Sequence, residues 1–188
     1  MLDLKESLQP NDSTELNFKI SSVSHGFENR ISQRRIVQNG TFLAYDILPH
    51  IGYNNHRIVE SKKERVKNGL SPYVDLPSVY DEQATMRNYI GFDSDWVTLK
   101  TTISTSSDQI AIAPGSLIKD WRSDGRNYYQ YQLDAPSLKF FTFNSARYEV
   151  ARDKWNDVDV EIYYHKPHDV NVPRMVNSIK KTLAYAST

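Results

Sequence analysis

The chain has no cysteine. No disulfide and no thiolate metal site can hold it together, and its composition carries no mark of a redox compartment. It has no apolar run near the ~18 residues that a membrane-spanning helix requires, so no membrane span is expected in this chain. It has no surplus of either charge: lysine plus arginine and aspartate plus glutamate both number 23. Gripping nucleic acid by neutralising phosphates needs a net basic face, so no nucleic-acid partner is expected. Catalytic signatures are missing as well. There is no HExxH, no GxSxG, no GxGxxG and no P-loop, which removes the commonest sequence-level routes to metallopeptidase, serine hydrolase and nucleotide chemistry.

What is present points to strands. At 188 residues the chain is long enough for a real core, and its 12 tyrosines suit a β-rich protein. Apolar residues alternate with polar ones in several runs. Leu16, Phe18 and Ile20 share a face in "TELNFKISSV". Val97, Leu99, Thr101 and Ile103 do so in "DWVTLKTTIS", and Val158, Val160, Ile162 and Tyr164 in "DVDVEIYYH". Each alternation predicts a strand with one buried side. "WRSDGRNYYQYQLD" predicts a hairpin, with Asp124-Gly125 supplying the positive-φ turn. "IAIAPGS" reads as a short strand entering a Pro-Gly turn. "LKFFTFNSARYEV" is nearly continuous and aromatic, as expected of a central strand buried on both sides.

The stretch from about 54 to 90 is polar and predicts two short helices. "ESKKERVKNG" is stopped by Gly69, and "YDEQATMRNYI" follows a loop with two prolines. The final residues, "NVPRMVNSIKKTLAYAST", predict an amphipathic helix with Asn171 as cap and Pro173 in its first turn. Val172, Met175, Val176, Ile179 and Leu183 make its apolar stripe. That helix either docks on its own domain or belongs to a following one. The expected fold is mainly β: an antiparallel sandwich or saddle over residues 1–170, a short helical insertion at about 54–90, and a C-terminal helix at 171–188.

Candidate functional residues are sparse. His50 and His56 sit in "PHIGYNNHR", and His165 and His168 in "HKPH". A metal needs three or four ligands converging on a point, and His-x-x-His across a proline at a strand end does not supply them, so no metal ligands are assigned. The hydroxyls of "ISTSSDQ" are expected to bond local backbone at a turn. "VQNGTFLAYDILPHIGY" is the stretch best suited to contacts, although Gln38-Asn39-Gly40-Thr41 also reads as a plain hairpin turn.

In order along the chain, "YYQYQLDAP", "FFTFNSARYEV", "VDVEIYYHKPH" and "NVPRMVNSIKKTLAY" resemble the end of the N-terminal β-saddle domain of the aminopeptidase N family of zinc metallopeptidases. Ala135-Pro136-Ser137-Leu138 stands for the first family element, Val158 to Tyr164 for the second, and Met175 to Tyr185 for the helix that opens the catalytic domain. "GFEN", "NGTFL", "PHIGY", "SDQIAIAPG" and "SARYEVARDKW" are similar to a bacterial subgroup in which the peptidase-like region is fused to a membrane protein resembling an ABC transporter permease. Gln38 stands 11 residues before Pro49, as in the family's glutamine-to-proline spacing, whereas His50-Ile51-Gly52-Tyr53 replaces the family's acidic pattern.

The resemblance implies a noncatalytic domain that walls the substrate cleft of a membrane-anchored aminopeptidase-like enzyme. Catalytic residues are expected to be absent from this chain. Gln38, with Asn39 beside it, would bind substrate by holding the free amino end of a peptide. No cofactor is expected within the chain, and zinc is expected in a catalytic domain beyond Thr188 that the last helix would enter. The alternative is a binding or scaffold module of a transporter-associated membrane protein without peptidase activity. Early strands of the saddle are expected to be missing, and the sheet edge left open is expected to pair with a second copy.

Overall fold

The computed structural model describes residues 8–23, 35–49, 59–73, 78–85 and 96–187. In chain order the strands are β1 (Ile36–Val37), β2 (Gly40–Ala44), β3 (Trp96–Val97), β4 (Lys100–Ser106), β5 (Ile110–Ile112), β6 (Ser116–Ser123), β7 (Arg126–Gln132), β8 (Ser137–Leu138), β9 (Thr142–Ala146), β10 (Glu149–Trp155) and β11 (Val158–Tyr164). The helices are α1 (Lys62–Lys67), α2 (Glu82–Thr85) and α3 (Val172–Ala186). The expected class holds: several antiparallel sheets, a few short helices and a C-terminal helix. One sheet has the order β1-β2-β9-β5, a second β4-β7-β6, and the pairs β3-β8 and β10-β11 complete the described set.

Local chemistry accounts for the hairpins. Asp124 and Gly125 both take positive φ, 50° and 70°, the mirror-image turn whose twist matches the strands it joins. Trp121 stacks on Tyr128 directly across that hairpin, 5.0 Å between ring centroids. Gly40 is required for another reason. It pairs with Ala146 on β9, and a Cβ there would lie 2.2 Å from the Ser145 carbonyl oxygen and 2.5 Å from the Ala146 Cβ.

Two strand expectations need correction. Residues 13–23 form no strand, and Leu16, Phe18 and Ile20 are 49%, 55% and 57% exposed. Alternation makes a segment competent to be a strand, but it becomes one only beside a partner edge. "LKFFTFNSARYEV" is not continuous either. Tight turns, Phe140 N–H to Leu138 O and Tyr148 N–H to Ala146 O, cut it into β8, β9 and the start of β10. Only β9 is central, lying between β2 and β5. The end of the second predicted insertion helix, 86–90, lies outside the described residues, as do His50, His56 and "GFEN".

Helix α3 docks on β10 and β11. Val172 is buried and Val176 and Leu183 are half-buried, whereas Met175 is 50% and Ile179 37% exposed. The stripe is therefore only partly covered. Asn171 occupies the cap position but makes no side-chain capping bond. Lys180 pins the helix to β10 through a 2.6 Å ion pair with Asp153. The Lys180 hydrogen bond holds the Asp153 carboxyl below its ordinary value, helped by the Lys154 N–H.

Two outcomes follow from these contacts. Gly40→Ala should lower stability by about 1–3 kcal/mol through overpacking against β9, read as a lower urea midpoint at unchanged slope. Because the folded Asp153 titrates below the unfolded one, its contribution is present above about pH 4 and fades as pH falls further. Asp153→Asn should therefore be less stable than the parent at pH 7, and the difference between their denaturation curves should shrink as pH is lowered below about 4.

Candidate functional site

Strand β4 lies at the edge of its sheet. Leu133 N–H donates to Leu99 O at 3.0 Å, which sets the phase of the β4–β7 ladder. Thr101, Ile103 and Thr105 bond to β7, and the backbone groups of Lys100, Thr102, Ser104 and Ser106 turn away from it. Among the described residues no strand pairs with that outer row. The Ser104 carbonyl accepts from Arg126 Nη2 at 2.9 Å, and the Ser106 carbonyl from Gln109 N–H at 3.0 Å.

Opposite this edge lies one face of the four-stranded sheet. Thr41 pairs with Ser145 and Leu43 with Phe143, so all four side chains share that face. Between edge and face runs a groove of about 640 Å³. Its walls include six consecutive residues of β4, Thr101 to Ser106, as expected where a strand presents its edge. Ile36, Leu43, Ile47, Leu48 and Phe143 supply the apolar side.

The floor is polar. Thr105 Oγ1 and Ser145 Oγ each reach Gln109 Oε1, at 2.8 and 2.9 Å, and lie 2.5 Å from one another. The two hydroxyls carry one proton each, so two of these three contacts are filled at a time and both protons stay within the cluster. Thr105 and Ser145 are both buried. This replaces the expected local bonding of "ISTSSDQ": the turn is there, but the Thr105 hydroxyl reaches across to β9. Thr101 Oγ1, also in the wall, is buried without a protein partner among the described residues.

No acid–base pair stands among the described lining residues. Among the described lining residues Arg126 is the one charged group, and there is no carboxylate or imidazole. A hydroxyl without an adjacent base is a weak nucleophile. The arrangement can bind through apolar contact and backbone pairing.

A row of side chains on β7 holds the groove's shape. Asn127 Nδ2 donates to Ser107 O and Gln109 O at 3.2 and 3.0 Å, and Tyr131 Oη to Ala111 O at 3.0 Å. Burial, with help from Tyr129, pushes the Tyr131 phenol up to about 12. It therefore stays a neutral donor throughout the ordinary pH range.

Gln38 and Asn39 form the two-residue turn between β1 and β2, the plain hairpin reading. Their carbonyls are tied to Arg147: Gln38 O accepts from Nη1 at 2.7 Å and Asn39 O from the backbone N–H at 3.3 Å. Arg147 also pairs with Asp108 at 2.6 Å. The Gln38 side chain is exposed beside Ile36 and Val37, which line the groove. His165 and His168 come together, 5.3 Å between ring centroids, in a short 3-10 turn remote in sequence from the groove strands. Among the described residues no three histidines, cysteines or carboxylates gather around a point. Among the described residues no helix is long and apolar enough to cross a membrane.

Comparison with family models, with curated proteins and with solved structures finds no match.

Thr105 and Ser145 should behave as one unit. Thr105→Val and Ser145→Ala are each expected to cost about 1 kcal/mol. The double variant should cost less than their sum by at least ~0.5 kcal/mol in a double-mutant cycle from urea melts. Strict additivity would mean that the two hydroxyls do not share Gln109.

Proposed function

We propose that this chain is a noncatalytic, substrate-side β domain of a membrane-associated protein of the aminopeptidase-like zinc metallopeptidase type, and that it binds an extended peptide. The observation that carries the reading is the groove: an unpaired strand edge facing an apolar wall, without an acid–base group among its described lining residues. An extended peptide laid along β4 would find backbone partners on one side and apolar contact on the other, as in strand addition generally.

The sequence resemblance supplies the rest of the reading. Gln38 follows directly on Ile36 and Val37, so a peptide lying toward β1 would bring its amino end to that side-chain amide. Met175 and Ile179, exposed on α3, offer apolar surface to an adjoining catalytic domain. Zinc and the hydrolytic groups would belong to that domain, and this chain alone would cleave nothing.

The test is fluorescence anisotropy with a labelled hexapeptide of alternating apolar residues, carrying either a free or an acetylated amino terminus. The free amine should bind roughly tenfold tighter, the worth of one hydrogen bond to a charged group. Gln38→Ala should erase that preference while keeping the residual affinity. Equal binding of both peptides by the parent chain would remove the amino-end role. Zinc-dependent hydrolysis of an aminoacyl substrate by the purified chain would remove the noncatalytic reading.

A further inference from the structure

We infer that the β4 groove is also an interface between two copies of this chain, filled by the segment Thr14–Ile20 of the second copy added as a strand to the β4 edge. Two halves of one strand pair stand apart in the structure. One is the outer row of β4, where the Thr102 N–H and C=O and the Ser104 N–H have no partner among the described residues. The other is a segment patterned as a strand that has no strand beside it among the described residues, with Leu16, Phe18 and Ile20 about half exposed.

The two match in period, length and charge. On β4 the side chains of Thr101, Ile103 and Thr105 face the four-stranded sheet, since Thr105 touches Ser145 there. Those of Thr102 and Ser104 face outward, bonded to Gln130 and Arg126. A strand added beside β4 inherits that alternation. Leu16, Phe18 and Ile20 would then face Leu43, Ile47 and Phe143, and Glu15, Asn17 and Lys19 would face outward. The segment Thr14–Ile20 spans seven residues, and so does β4. Ser104 O is now capped by Arg126, and Glu15 brings a carboxylate that can receive this guanidinium once the added strand takes the carbonyl.

The donor is a second copy because the segment stays out of its own groove, its apolar side chains about half exposed. Reciprocal donation fills both grooves and closes the assembly with two-fold symmetry. The other free edge of the four-stranded sheet nearest this site does not compete. At β5, the Gln109 and Ala111 carbonyls already accept from Asn127 and Tyr131. The inference needs only the groove and its edge, and is independent of the peptidase reading.

The experiment is sedimentation velocity on the full chain and two variants. Phe18→Lys spoils the donated strand. Thr102→Pro spoils the edge, by removing an N–H that β7 does not use and that an edge strand can lose. The parent should show a concentration-dependent dimer, and each variant should be monomeric with an unchanged thermal melt. An equimolar mixture should regain a dimer, because one partner brings an intact edge and the other an intact strand. A parent that stays monomeric up to its solubility limit overturns the inference, including when the segment docks on its own chain. So do variants that remain dimeric, and a mixture that stays monomeric.

If Thr102→Pro fails to fold, a labelled peptide of residues 13–22 is titrated into the Phe18→Lys variant instead. Saturable binding, displaced by unlabelled peptide, is the expected result, and its absence overturns the inference. A dimer that exchanges strands but shows no preference for free-amine peptides keeps this inference and removes the peptidase reading.

Discussion

The two larger sheets are joined by a row of hydrogen bonds from side chains of one strand to the backbone of another. Asn127 and Tyr131 stand on the inner face of β7 and donate to the carbonyls of Ser107, Gln109 and Ala111. Ala111 lies on the β5 edge and Ser107 and Gln109 in the turn that leads into it, and a backbone carbonyl left unpaired away from water is costly. The row also fixes register, since a slip by one residue would turn Asn127 and Tyr131 to the outer face. With β7 held against β5, β4 projects beyond the joint along the sheet face formed by β2 and β9. The covered edge at β5 and the open edge at β4 are thus two results of one seam.

The wall opposite depends on a close approach of a different kind. β9 is shared by β2 and β5, and at Gly40 the backbones come so near that no Cβ fits. That contact sets where Thr41 and Leu43 fall relative to Phe143 and Ser145. It therefore sets the apolar wall and brings Ser145 to Thr105. Arg147, the residue after β9, then ties the Gln38–Asn39 turn to Asp108. These charges are about half exposed, so the ion pair itself adds little to stability; its effect is to hold the turn in place.

Elements encoded by neighbouring residues were legible in the sequence. The Asp124-Gly125 hairpin, α1 with Gly69 just past its end, and α3 from its 3- and 4-residue spacing all follow from local rules. The Val97-to-Ile103 alternation marks the half-buried face correctly, although it spans two strands that pair with different partners. Elements set by distant partners were not legible. Thr105 and Ser145 are 40 positions apart, and nothing in "ISTSSDQ" says that its threonine will find β9 rather than its own turn. Leu16, Phe18 and Ile20 carry the same alternation as β11 yet lack a partner strand among the described residues. Gln38-Asn39-Gly40 announces a turn in sequence, but the reason for its glycine, the approach of β9, appears only in three dimensions.

The polar floor bears on what kind of ligand the groove can discriminate. Thr105 and Ser145 direct their hydroxyl protons within the cluster, to Gln109 Oε1, which leaves Thr101 Oγ1 as a buried wall group able to meet a ligand's polar substituent. Beyond that hydroxyl, recognition rests on the backbone row of β4, which any extended chain can meet, and on an apolar wall that meets every second side chain. Backbone pairing at about 0.5–1.5 kcal/mol per hydrogen bond, with apolar burial beside it, rewards conformation and alternation more than identity. Such a groove selects strand-forming segments of apolar period two and tolerates changes within that pattern. A peptide presented to a peptidase and a segment donated by a second copy satisfy the same condition, so they would compete for the site in proportion to their concentrations, and the oligomeric state would set how much of the groove stays open.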